Sequence, residues 1–236
     1  MKVITNEGSV LYMTFRPLLV AIVASLLLVG CQDNRNRPES PEDTEAELER
    51  NAPPEFRRLK AAYANPLQGV DERTRNERLK ALLTKFSVTK DGSNHRVAYR
   101  HKTCSQYSSA TGTSLSAEVV DRTLYLDSAY IGRDWMFEKS FTVMVGDKEI
   151  TASDDSPKHD RDDGVVYELI LASDARGVAM ADLIANANGQ PVRVRVSGST
   201  HNDYTLSEPC RIAITQTLEL WKLLGGNSST WMPYAW

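Results

Sequence analysis

Histidine and cysteine are scarce in this chain, with four and three residues in 236. His95, His101, His159 and His201 stand apart, and no cysteine shares a C-x-x-C or His-rich spacing with another ligand, which excludes the zinc sites that spacing alone reveals. G-x-S-x-G, H-E-x-x-H, the P-loop and G-x-G-x-x-G are also lacking, so the common signatures of hydrolase, metalloprotease and nucleotide chemistry are missing. Ser199, His201 and Asp203 could be drawn as a triad, but alternate residues of one short run do not hold a triad's geometry. There is no excess of basic charge: 28 Lys and Arg face 31 Asp and Glu, a formal net charge of −3. Nucleic acid is therefore not an expected partner. Nor is there a long apolar run, since the longest, from Leu18 to Gly30 with one break at Ser25, falls short of the ~20 residues that span a bilayer. No cofactor is expected, and binding or scaffolding is favoured over catalysis.

The short apolar run carries the strongest signal present. Arg16 precedes it, as in the charged and apolar regions of a secretory signal, and it ends in Leu28-Val29-Gly30-Cys31. That ending resembles a lipobox, and on it the chain is identified as a member of the bacterial lipoproteins. The resemblance implies acylation of Cys31, cleavage after Gly30, and a lipid bilayer outside the cytoplasm as partner through the acyl chains, with an envelope protein as a second expected partner. Several chains anchor where a single one binds only reversibly. Gln32, where aspartate would signal retention, implies the outer membrane, facing the periplasm. Met13 offers a second start codon.

After residues 1–30, the signal, residues 31–69 read as an acidic, proline-rich tether. Pro38, Pro41, Pro53 and Pro54 fall in it, and before Phe56 its only large apolar side chain is Leu48, too little to offset ordering entropy. One folded domain is expected over 70–226, followed by an aromatic tail, 227–236, that packs back on the domain or docks a partner.

Within the domain, Leu79, Leu82, Leu83 and Phe86 recur at helical spacing over Asp71 to Phe86. Alternation predicts strands over His95 to Cys104, Ser114 to Leu126 and Trp135 to Val145. The last turns at Gly146-Asp147-Lys148 onto Glu149-Ile150-Thr151, and a further strand spans Val165 to Leu171. Ser173 or Asp174 then caps a helix to about Ala187, Val192 to Val196 is another strand, and Ser207 caps a final helix whose stripe is Ile214, Leu218 and Trp221. The expected fold is α+β, an antiparallel sheet meander with two or three helices packed on one face as a two-layer sandwich.

Once Cys31 is acylated, Cys104 and Cys210 remain in an oxidising compartment, and a disulfide between them is expected. The acidic run Asp154 to Gly164 is the best place for an ion, with Asp160, Asp162 and Asp163 as candidate calcium ligands. The twelfth place from Asp160 is Leu171, however, where an EF-hand needs glutamate, and a solvated hairpin tip is the favoured reading. Trp135 and Phe137 read as core.

Several runs together resemble a loosely defined group of small bacterial envelope domains over about residues 95 to 225. They are Tyr99-Arg100-His101-Lys102, Leu124-Tyr125, Tyr130 through Phe137, Val192 through Arg195 with Gly198, and Asp203 through Ser207. The resemblance implies a single domain and no chemistry. An envelope hydrolase and an ion-dependent sensor remain the alternative functions.

Overall fold

The computed structural model describes residues 41–92, 95–104, 112–154, 157–229 and 231 (backbone only at 41–45 and 174), all within one compact unit, Glu39–Trp236. The expected lipobox, with Cys31, lies outside the described residues. So does the tail beyond Trp231.

The fold is α+β with two antiparallel sheets. The larger runs β1 (Phe86–Lys90), β2 (Val97–His101), β3 (Gly112–Val120), β4 (Thr123–Gly132), β8 (Val165–Ala172), β7 (Lys158–Asp162) in that spatial order. The smaller orders β10 (His201–Thr205), β9 (Val192–Ser197), β5 (Ser140–Val145), β6 (Lys148–Ser153). The strands thus divide between two sheets instead of forming one meander, because β9 and β10 join the β5–β6 hairpin.

Alternation explains which face is buried. In β8 the residues Val166, Glu168, Ile170 and Ala172 point inward, and their partners on β4 are Gly132, Tyr130, Ser128 and Leu126. Helices α4 (Asp174–Ala185) and α5 (Glu208–Leu223) cover this face, and α5 buries Ile214, Leu218 and Trp221 as its period requires. Phe141, Val143, Val192, Val194 and Val196 of the smaller sheet enter the same core.

Three expected boundaries move. The helix expected to reach Phe86 is α3 (Glu72–Leu83), capped by Asp71, whose carboxylate accepts the Thr74 N–H at 2.9 Å; Phe86 instead opens β1. The strand expected from Ser114 to Leu126 folds back on itself at Asp121 and Arg122, both at positive φ (48° and 71°). Neighbours hold this turn: Asp121 accepts the Val97 N–H (2.9 Å) and pairs with Arg96 (3.1 Å), while the Trp221 indole donates to the Arg122 carbonyl (2.8 Å). The strand expected from Trp135 begins only at Ser140.

The largest correction concerns the segment read as tether. Its second half forms α1 (Pro41–Asn51) and α2 (Pro54–Ala62), and Ala52, Phe56, Leu59 and Tyr63 are buried in the main core. Their partners come from the other end of the chain. Trp231 packs 6.2 Å from Phe56 and 6.5 Å from Tyr63, centroid to centroid, and Trp221 meets Tyr63 edge-on at 5.8 Å. Ser228 donates its N–H to the Tyr63 carbonyl (3.0 Å) and its hydroxyl to the Lys60 carbonyl. Composition judged this segment by its own apolar content, whereas partners more than 150 residues away complete its core. The folded unit therefore starts ahead of Ala52, well before Val70, and Trp231 belongs to it.

Cys104 follows β2 and Cys210 lies in the first turn of α5, which packs on β2 and β3. Their Cα atoms are 5.2 Å apart and the sulfurs are bonded across a sequence separation of 106.

Candidate functional site

The chain leaves the larger sheet at Gly132 and enters the smaller one at Ser140, and the seven residues between form a loop held by side chains from both sides. Glu168 holds it from below: its two carboxylate oxygens accept the N–H groups of Met136 (2.6 Å) and Glu138 (2.5 Å). From the other side Ser199 donates its N–H (2.7 Å) and its hydroxyl (2.8 Å) to the Met136 carbonyl. Gly198 permits this approach, since a Cβ there would collide with the Met136 and Phe137 carbonyls.

Met136 is buried, but its neighbours are not core residues, contrary to expectation. Phe137 is 52% exposed with φ at +52°, a strained position for a bulky residue, and Trp135 is half-buried. The two rings lie 6.0 Å apart and 25° from parallel. The His159 ring, on β7, stands edge-on to both, at 5.7 and 6.4 Å, and the Arg161 guanidinium sits 6.0 Å from the Trp135 ring centre. The result is an aromatic ledge at the sheet edge, with its backbone locked by buried groups.

Those buried groups are acidic. Glu138 is fully buried; the Ser128 hydroxyl donates to one of its oxygens at 2.5 Å, and the other has no partner among the described residues. Burial pushes its carboxyl up to about 8, the Ser128 bond works against this, and the Glu168 charge adds to it. The Tyr204 hydroxyl is also buried without a described partner, its pKa raised by burial and by Glu138. His159 Nε2 lies 3.5 Å from Glu168, linking the exposed ledge to the buried carboxylate. A histidine beside a buried carboxylate is an element of general-base catalysis, but among the described residues no hydroxyl or thiol is in hydrogen-bond contact with His159.

Glu138 makes stability depend on pH. Its folded pKa lies above its unfolded value near 4.5, so the folded state binds the proton more tightly and stability falls as pH rises from about 5 to 8. Full loss of this contribution amounts to a few kcal/mol, on the order of 1.4 per pKa unit. Glu138→Gln should flatten that slope in denaturation curves taken across this range. Asp127, raised by burial, adds slope of the same sign, and His101, lowered by burial, adds slope of the opposite sign. The difference between wild type and Glu138→Gln isolates the Glu138 part. An identical slope in the variant would remove Glu138 as its source.

The residues singled out by sequence are scattered. Asp160 and Asp162 lie on the exposed edge strand β7 and Asp163 in the turn that follows, so the run read as a hairpin tip is largely a strand. Asp160 and Asp162 line, with His159, Tyr167, Glu168 and Leu169, a cavity of about 480 Å³ at the edge of the larger sheet. Among the described residues no group of three His, Cys, Asp or Glu side chains is placed to hold a metal. Ser199 bonds to Met136 and Asp203 to Arg195 (2.7 and 2.6 Å), so no triad forms with His201. His101 is buried and satisfied, with Nε2 3.0 Å from the Gln216 side-chain oxygen and Nδ1 accepting the Thr103 N–H.

Sequence reasoning missed Glu138 and Glu168. For Glu168 a signal was present, an acidic residue at an inward place of an alternating strand, which calls for an internal partner. Comparison of the chain with protein-family models, curated proteins and solved structures gives no match.

Proposed function

We propose that the protein is a lipid-anchored component of a bacterial cell envelope, at the outer membrane facing the periplasm, whose α+β unit works by binding. The anchor reading rests on Leu28 to Cys31 and the body on its likeness to small envelope domains. The observation that carries the binding role is the exposed Trp135–Phe137 pair on a backbone fixed by Glu168, Ser199 and Gly198. Such rigidity lowers the ordering cost of association, as a binding surface requires. Catalysis is the weaker reading because His159 lacks a nucleophile within hydrogen-bond contact among the described residues, and both Glu168 oxygens are committed to backbone N–H groups.

Nine residues separate Cys31 from Pro41, and a chain of that length covers at most ~30 Å when fully extended. The binding unit is then held close to the bilayer. No helix among the described residues is long and apolar enough to cross a membrane.

Replacing Cys31 tests the anchor. Cys31→Ala should abolish labelling by a radioactive or clickable fatty acid and leave a larger, uncleaved precursor, since lipoprotein processing follows thiol acylation. Normal maturation of Cys31→Ala would overturn the lipoprotein reading.

A further inference from the structure

We propose that the Trp135–Phe137 ledge is a binding site for a neutral pyranose glycan. The inference rests on the binding role proposed above and supplies its ligand class.

The ledge presents two aromatic rings in nearly parallel orientation, 25° apart, with Phe137 about half exposed. A side chain of this size held at φ +52° leaves about half of its surface in solvent, apolar area that a ligand can cover. Aromatic faces are apolar and carry negative quadrupole, and they attract the weakly positive C–H face of a pyranose ring. Around the rings stand groups of both kinds needed by sugar hydroxyls. The Arg161 guanidinium beside the Trp135 ring offers donors, the His159 ring closes one end, and the exposed Arg133 and Asp134 precede Trp135 in the same loop with a donor and an acceptor.

The charges point to an uncharged ligand. Arg133 and Asp134 are adjacent, Arg161 lies between Asp160 and Asp162, and so neither a polyanion nor a cation meets a field of one sign. A polyol that pairs with each side chain singly fits this mixture. A bilayer fits less well: Phe137 is the one large apolar side chain of the loop that is exposed, too little apolar surface for insertion.

The probes are chitotetraose and cellotetraose, titrated into the full-length lipidated protein in neutral detergent and followed by tryptophan fluorescence and calorimetry. Binding of at least one is expected, with Phe137→Ala and Trp135→Ala each weakening it tenfold or more and Phe137→Tyr retaining it. Phe137 is exposed and Trp135 half-buried, and melting temperatures confirm that the variants fold. Polygalacturonate, a proline-rich peptide and anionic vesicles serve as the competing occupants. Failure of both neutral oligosaccharides, insensitivity of their binding to Phe137→Ala, or selective binding of any competing probe would overturn the glycan assignment. If neutral glycans fail while a competing probe binds and is lost in Phe137→Ala, the ledge remains a binding site and only the ligand class falls. If nothing binds the ledge, the binding role falls with it.

Discussion

Phe56→Ala is expected to destabilise the folded unit by about 3 to 5 kcal/mol, the cost of truncating a buried aromatic and leaving a cavity. Phe56, on α2, is fully buried against Trp231, and the same cluster includes Leu59 and Tyr63. For a unit of nearly 200 residues the loss corresponds to a fall of roughly 10 °C in melting temperature. A control lies nearby on α1: Leu48, 39% exposed and outside the core cluster, should change stability by no more than about 1 kcal/mol when replaced by alanine, well below the Phe56 effect. The pair distinguishes a helix that belongs to the core from a solvated tether, in which both substitutions would be silent. Limited proteolysis gives an independent readout. The wild-type core fragment should begin ahead of Ala52, and cleavage that removes α2 without loss of stability would contradict the packed arrangement.

The second large effect is expected on reduction. Opening Cys104–Cys210 releases a loop of more than a hundred residues, for which the chain-entropy model gives up to ~4.7 kcal/mol and removal of native disulfides typically costs 2 to 5. The oxidised protein should therefore melt well above the reduced one, and unreduced peptide mapping should recover Cys104 and Cys210 linked. Quantitative thiol labelling of both residues in protein isolated from cells would refute the bond. The ledge lies away from this staple, tied to β8 and to the β9–β10 turn, so ligand binding at Phe137 should survive reduction below the melting temperature.

Local pattern made much of the fold legible. The alternation of Val165 to Leu171 and of Val192 to Val196, the Gly146-Asp147 hairpin, and the Ile214, Leu218, Trp221 stripe each reappear in the structure within a residue or two of the expected bounds. These features are local because each depends on which face of one element is apolar. The turn at Asp121-Arg122 was not legible, since neither residue is glycine or asparagine. Its conformation depends on Val97, Arg96 and Trp221, from β2, the residue before it and α5.

The candidate site shows the same divide more sharply. Trp135 and Phe137 read as core because aromatic residues usually are, and nothing in their neighbourhood reports that Glu168, thirty residues on, captures the backbone and that Ser199 fixes it from a second sheet. Glu138 looks like a surface residue in sequence; it is buried because two sheets close over it.

By itself the sequence determined the α+β class, the helix and strand periods, and the two cysteines available to pair, all properties of composition or of one element's own faces. Only the tertiary structure decided where the folded unit begins, how the strands divide between two sheets, and which aromatics are displayed. Each of those depends on burial, and whether Phe56 or Phe137 is buried is set by residues distant in the chain: Trp231 covers the first, while Glu168 and Ser199 hold the second out to solvent.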